Sequence, residues 1–269
     1  MRIVLNNAMD FLPEHTFECG QCFRWNKEKD GSFTGVAKGR AVNLSYDGRN
    51  IIIDGADNKD ETFWRAYLDL TRDYGKIKES ISSTSVMREA LNFGYGIRIL
   101  KQEFFETLIS FIISQRSSIP KIKSCIEKMC REYGKEIEYK GKIYYSFPST
   151  EELKEAKESD FEKFGVGYRA KYLERAVKDV LEGKINEEEL LSLSTKEARA
   201  KLLEMYGVGN KVADCVLLFG LSRFDSFPVD VWVDRAMKEF FNGGDGITLF
   251  GENSGFAQQY LFYYKRSIG

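Results

Sequence analysis

Ser194–Met237 reads STKEARAKLLEMYGVGNKVADCVLLFGLSRFDSFPVDVWVDRAM, and its apolar periodicity breaks first at a pair of glycines and again in the loop before Asp230. Ser194 followed by Glu197 forms a capping box that starts a helix, and Ala200, Leu202, Leu203 and Met205 read as its apolar side. Tyr206-Gly207-Val208-Gly209-Asn210 ends it. Two glycines around one apolar residue let the chain turn sharply and bare a row of N–H groups at the next helix N-terminus. Val212, Ala213, Val216, Leu217 and Phe219 make that next helix strongly apolar, with Lys211 in its first turn. A first-turn lysine opposes the helix dipole, which favours cations at the other end. A lysine so placed is a candidate amine nucleophile. Nineteen residues on, Asp230 follows Pro228-Val229 as an N-cap candidate for a third helix.

Outward from this stretch, composition sets the bounds. A chain of 269 residues with 43% hydrophobic and 14% aromatic side chains can bury a substantial core. Forty basic against 41 acidic side chains leave a net charge of -1, so any surface for a polyanion must be local. Five cysteines suit a reducing compartment. Met1–Phe11 has no signal-peptide core, and no apolar run reaches membrane-spanning length. The expectation is a soluble protein, cytoplasmic or nuclear. His15 is the only histidine, which excludes multi-histidine metal sites and makes histidine-based triads untenable.

From Phe17 to Asp54, short alternating segments are separated by turn clusters at Lys29–Gly31 and Asp47–Asn50, predicting an antiparallel meander. Cys19 and Cys22 read as strand residues flanking Gly20, since a lone C-x-x-C is weak evidence for zinc. From Asp60 the period becomes helical, with Phe63, Trp64, Tyr67, Leu68 and Leu70 on one face, and further helices at about 75–82 and 84–92. Phe104–Ile113 is apolar enough to be a central core helix. It ends at Ser114–Ser118, and Pro120 permits a fresh start. Residues 132–148 read as a loop or small hairpin, Ser149–Glu152 as another helix start. A second glycine hairpin, Gly165-Val166-Gly167, precedes Tyr168-Arg169. Helices at about 169–182, 187–191 and 195–205 follow, and Gly255–Arg266 closes the chain. The fold class is α+β: an N-terminal antiparallel β-sheet domain over residues 1–92, packed on a mostly helical body over 93–269 that contains a helix–hairpin–helix.

Taken singly, these features have plain alternatives. A Gly-x-Gly connector occurs in many helical proteins, a first-turn lysine is commonly solvent-exposed, and Asp230 could be a cap and nothing more. Together they are specific. GVGNKVADC and FPVDVWVDRAM resemble the helix–hairpin–helix signature, with its aspartate, of the DNA glycosylase superfamily. Within it, the chain resembles the 8-oxoguanine DNA glycosylases with attached β-lyase activity. CGQCFRW, FWRAYLDLTRDY, GIRILKQEFFETLISFIISQ, GVGYRAKY and GFAQQYLF resemble that family's other blocks in order.

The resemblance implies roles. Lys211 would be the nucleophile and Asp230 the assisting aspartate. Gly20 would accept the N7–H that oxidised guanine carries, Phe262 and Cys215 would sandwich the flipped base, and Gln258 would bond its Watson–Crick edge. Arg116, Lys121 and Arg169 would face the orphaned partner base, and Tyr168, Gly207 and Gly209 would meet the DNA. The partner is then double-stranded DNA containing 8-oxoguanine, with a monomer expected. No cofactor is expected: no cysteine follows Cys215, so the iron–sulfur cluster of related branches is unsupported, although hairpin carbonyls could hold a monovalent or calcium ion. Vertebrate members carry asparagine and arginine where this chain has Arg116 and Lys121, which puts a strict preference for cytosine opposite the lesion in doubt; they also carry histidine and aspartate where it has Trp232 and Lys265. Two other readings stay open: a non-catalytic binder of abasic or distorted DNA, and a glycosylase for another base.

Overall fold

The computed structural model describes residues 1–269. A five-stranded antiparallel sheet holds β1 (Arg2–Leu5), β2 (Trp25–Lys27), β3 (Phe33–Ala37), β4 (Arg40–Tyr46) and β5 (Ile51–Asp54), in spatial order β1-β5-β4-β3-β2. Register follows the apolar alternation: Leu44 faces Ile53 and Ile3 faces Ile53 from the other side. All three are buried, as the period of two requires. The first strand was not expected from sequence. Four residues give too short a pattern, and β1 exists only because it completes the edge beside β5.

Between β1 and β2 the chain departs from the expected meander. Pro13–Glu18 is a short helix, and Cys19–Arg24 is a compact turn. Cys19 and Cys22 are therefore turn residues rather than strand residues, both buried and free. Phe17 stacks on Trp25 at 4.3 Å, and Trp25 donates its indole N–H to Tyr67 at 2.8 Å. Tyr67 belongs to the helix Glu61–Tyr67, which thereby packs on the sheet.

The body is built around Phe104–Ser114, buried from Thr107 through Ile113. A helix apolar on all sides must be enclosed by other elements. Ile119–Tyr133 lies on one side, and Asn210–Cys215, continued by a wider i→i+5 turn over Val216–Gly220, on another. Leu221 N–H closes that wider turn on the Val216 carbonyl at 3.1 Å. Residues 132–148 contain the hairpin Glu136–Tyr139/Lys142–Tyr145. The helix expected at Ser149 does not form. Ser149 and Glu152 do cap one another, but Leu153, Lys154 and Ala156 close on carbonyls three residues back, giving tight turns. The helix that follows is Glu158–Glu162. In Thr195–Leu203 the buried residues are Ala198 and Leu202, with Met205 beyond, while Ala200 is exposed and Leu203 half-buried. Asp214 explains this rotation of the face: it takes Arg199 through two contacts, 2.6 and 3.2 Å, across the hairpin.

A polar anchor, Arg98, ties the segment after β1 to the start of the body. Arg98 donates to the carbonyls of Met9, Asp10, Asp69 and Arg72, and its guanidinium lies 4.1 Å from the Tyr74 ring centre. Tyr74 starts a helix, Tyr74–Ile81, which with Ser85–Phe93 packs into the larger core beside the C-terminal helix Ser254–Ile268. No helix is long and apolar enough to cross a membrane.

Glu106 stands on the central helix 3.9 Å from Arg24. Burial outweighs Arg24 and pushes its carboxyl up to about 7. Because the folded-state value lies above the ordinary carboxylate value of 4.5, the native state holds this proton while the unfolded chain has lost it. Stability therefore falls as pH rises from 4.5 towards 7 and is flat above. Glu106→Gln is expected to stabilise the fold at pH 8 by roughly 2 kcal/mol more than at pH 5. Denaturant melts of both proteins at the two pH values check this, and equal gains would contradict it.

Candidate active site

The hairpin places Lys211 first. Gly207, at φ +86°, lies so close to the Tyr172 ring that a Cβ would fall 2.2 Å from it, so the tight connector demands glycine. Asn210–Cys215 then begins, and Lys211 points to the central helix. Its Nζ donates to Ser114 Oγ at 3.0 Å and sits 4.6 Å from the centre of the Phe111 ring. Asp230 caps Val231–Phe241, its Oδ1 accepting from the N–H groups of Trp232 and Val233 at 2.9 Å each. The lysine and the aspartate line the same pocket without forming an ion pair: Lys211 is held by Ser114 and Asp230 by its own helix.

The rest of that pocket comes from both ends of the chain. Gly20, Phe111, Cys215, Phe219, Pro228, Gln258, Gln259 and Phe262 complete it, and its mouth continues past Ser117, Trp232 and Arg266. Gly20 sits at φ +80°, and a Cβ there would meet the Phe262 ring at 2.9 Å. Only a glycine lets this backbone lie against that ring. Gln258 is buried, yet its amide oxygen has no hydrogen-bond partner. A buried acceptor left open on a pocket wall is an invitation to a donor on a ligand. Burial drives the Cys215 thiol up to about 12 despite the nearby Lys211, so Cys215 is a neutral wall and not a thiolate nucleophile.

The six residues expected around a flipped base, Gly20, Lys211, Cys215, Asp230, Gln258 and Phe262, thus share one pocket. The expected DNA-facing group lies beside it. Arg116 is exposed and left-handed at φ +47°. Lys121, exposed, reaches over Gly165, and Tyr168 is exposed with the Arg169 guanidinium 4.6 Å from its ring centre. Arg169 itself is buried and donates to the carbonyls of Gln115, Val166 and Arg116. It fastens the 114–118 loop to the first hairpin. Gln115 does the same for the second, donating to the Gly207 carbonyl at 3.0 Å. Gly209 caps Asn210–Cys215 with extended backbone and open space around its Cα.

Of the departures, Trp232 lines the mouth with Arg235 5.0 Å from its ring centre, and Lys265 pairs with Glu239 at 2.9 Å. No group of three or more histidine, cysteine or acidic side chains is placed to hold a metal. At the second hairpin, where the sequence left room for a cation, Gly207 O already accepts from Gln115 and Gly209 O from Ala213 N–H.

Several positioning residues escaped the sequence reading. Gln21 is wholly buried: its amide donates to the carbonyls of Thr16 and Arg98 at 2.8 and 2.7 Å and accepts from Leu100 N–H at 2.8 Å. Gln259 donates to the Cys19 carbonyl at 2.6 Å, and Arg266 to the Glu18 carbonyl at 2.7 Å. The signal for the last was present, because Gln258, Phe262 and Arg266 recur every four residues along one helix face. Ser114, by contrast, carried none.

Comparison with known proteins agrees with this geometry. Residues 3–108 match the model for the 8-oxoguanine DNA glycosylase N-terminal domain, and 109–247 that for HhH-GPD superfamily base excision DNA repair proteins. A structure of MBOgg1 with a low-affinity DNA ligand is 47% identical, with a TM-score of 0.96, covering 100% of this chain and 96% of that one. The Clostridium acetobutylicum 8-oxoguanine glycosylase/lyase, solved with duplex DNA containing cytosine opposite 8-oxoguanine, is 40% identical with a TM-score of 0.94, covering 99% and 98%. The Saccharomyces cerevisiae N-glycosylase/DNA lyase is 33% identical over 86% of this chain and 69% of its own. Across three such curated N-glycosylase/DNA lyases, the matched part is 66% to 75% of the relative's length. The chain belongs to the HhH-GPD superfamily of base excision DNA repair proteins and, within it, to the 8-oxoguanine DNA glycosylase/lyases.

Proposed function

We propose that this protein excises 8-oxoguanine from duplex DNA and then nicks the strand, using Lys211 for both steps. The observation that carries this reading is the meeting in one pocket of Lys211, Asp230 and four candidate base contacts drawn from distant parts of the chain. The duplex approaches the two hairpins, whose glycines offer backbone N–H groups to phosphates. The damaged nucleotide leaves the stack and enters the pocket. Phe262 and Cys215 close on its faces, the Gly20 carbonyl accepts N7–H, and Gln258 answers its Watson–Crick edge.

The amine of Lys211, once it has given up its proton, adds to C1′ as the N-glycosidic bond breaks, and the base departs with the bonding electrons and takes up a proton. Asp230 stabilises the cationic sugar. Its cap bonds hold one carboxylate oxygen and leave the other free for that charge. The C1′ adduct opens to a Schiff base. Loss of a C2′ proton then expels the 3′ phosphate, leaving a nicked strand. A protein with this activity works wherever DNA is held, in a cytoplasmic nucleoid or a nucleus, and acts as a monomer. A binder of distorted DNA would require neither the lysine nor the aspartate. The likeness at 24% identity to an Archaeoglobus fulgidus 3-methyladenine DNA glycosylase shows a shared fold alone, so the choice of base rests on the pocket.

Borohydride added during reaction with an 8-oxoguanine duplex should trap a covalent protein–DNA adduct, and Lys211→Gln should abolish it; an adduct that survives the substitution removes Lys211 from the chemistry. Asp230→Asn retains the helix-cap acceptor and removes only the charge. Turnover should fall roughly 10²–10³-fold with duplex affinity kept, and near-normal turnover would refute the role. Arg116 holds a left-handed conformation that asparagine tolerates better. The wild type should discriminate weakly between cytosine and adenine opposite the lesion, and Arg116→Asn should sharpen the preference for cytosine without loss of stability. A strong cytosine preference unaffected by this substitution would count against Arg116 as an opposite-base contact.

A further inference from the structure

We infer that Arg266 is a positioning residue for lesion recognition, the clamp that fixes the Gly20 turn against the Phe262 ring. The inference rests on the reading of Gly20 and Phe262 as base contacts. Arg266 is a whole helical turn beyond Phe262, and its guanidinium lies 5.1 Å from the centre of that ring and 5.7 Å from that of Tyr263. One terminal nitrogen donates to the Glu18 carbonyl at 2.7 Å. The other is buried without a partner and would lie 3.3 Å from a Cβ on Gly20. The flat cation is thus wedged among the ring, the turn and the pocket mouth that it lines with Lys211 and Asp230.

This arrangement matters for one atom. Oxidised guanine differs from guanine at N7 by a proton, and only a correctly placed acceptor reads that difference. The two carbonyls before Gly20 are both occupied by the C-terminal helix, Glu18 O by Arg266 and Cys19 O by Gln259. The Gly20 carbonyl accepts no hydrogen bond within the protein. Arg266 therefore fixes acceptor and stacking ring relative to each other, because it touches both sides of their contact. A guanidinium does this through its planar fork. An ammonium can reach Glu18 but cannot lie flat on the ring.

The test uses the full chain in single-turnover reactions with two duplexes, one holding 8-oxoguanine opposite cytosine and one holding a preformed abasic site, which has no base to recognise. Arg266→Met should slow base excision about tenfold or more, while nicking of the abasic duplex falls at least tenfold less. Placed in a Phe262→Ala background, Arg266→Met should add less than a further twofold, since the partner it positions is gone. Arg266→Lys, which preserves charge and solubility, should lose several-fold in excision at an unchanged melting temperature, so the inference stays testable if the methionine variant does not fold. Excision within twofold of wild type in either single variant overturns the inference. So do parallel losses on both duplexes, or losses from Arg266→Met and Phe262→Ala that multiply. A wild-type protein that nicks the abasic duplex but leaves 8-oxoguanine in place would instead refute the substrate reading, and this inference with it.

Discussion

A buried primary amide whose nitrogen donates to two carbonyls and whose oxygen accepts a backbone N–H is the constraint on which the pocket depends. Gln21 spans from the turn after Pro13–Glu18 to the extended segment 98–100 that leads into the central helix. Its own carbonyl is taken by Gln102 at 2.7 Å. Such a group in a low-dielectric interior is costly to leave half-satisfied and rigid when complete. It sets the Gly20 turn on the same frame as Phe111 and Ser114, and through them Lys211. The proposed nucleophile and the candidate lesion acceptor are therefore referenced to one helix, Phe104–Ser114, although they lie far apart in the chain.

Around this frame the electrostatics are arranged by separation. Lys211 is kept on a hydroxyl and an aromatic face, Asp230 on two backbone N–H groups. A direct ion pair would satisfy both charges and hold them in their resting state. Housing them apart across a small pocket leaves each available to a sugar that develops positive charge between them. The neutral Cys215 thiol fits the same logic, since a thiolate there would compete as a nucleophile.

The body's helices were legible because their apolar stripes are long and their breaks carry glycine or proline. The hairpin at Gly207 and the cap at Asp230 were legible because glycine spacing and a cap residue are local signals, although the Tyr172 and Gln115 contacts of Gly207 are not. Legibility failed where stability is not local. β1 has four residues and forms only against β5. Cys19–Arg24 alternates like a strand but is bent into a turn by Gln21 and Gln259, whose partners lie up to 240 residues away. Ser149–Glu152 carries a valid helix start whose continuation yields tight turns. At the site, residue types could be matched to a chemistry, but Ser114 beneath the amine, Arg169 as an internal fastener and the Arg266 wedge required three dimensions.

That the pocket draws Gly20 from near the start and Phe262 from near the end has a consequence for how this protein comes into being. The contacts that present Lys211 join Phe104–Ser114 to the hairpin after it, whereas those that present the recognition turn close the longest loop in the molecule. Closing the longer loop costs more chain entropy, a cost that grows slowly with length. Assembly of the candidate recognition turn accordingly requires both ends of the chain, whereas the Lys211–Ser114 contact does not. A chain cut short before Ser254 would keep the Ser114 contact of Lys211 and lose both side-chain contacts, from Gln259 and Arg266, that hold the carbonyls before Gly20.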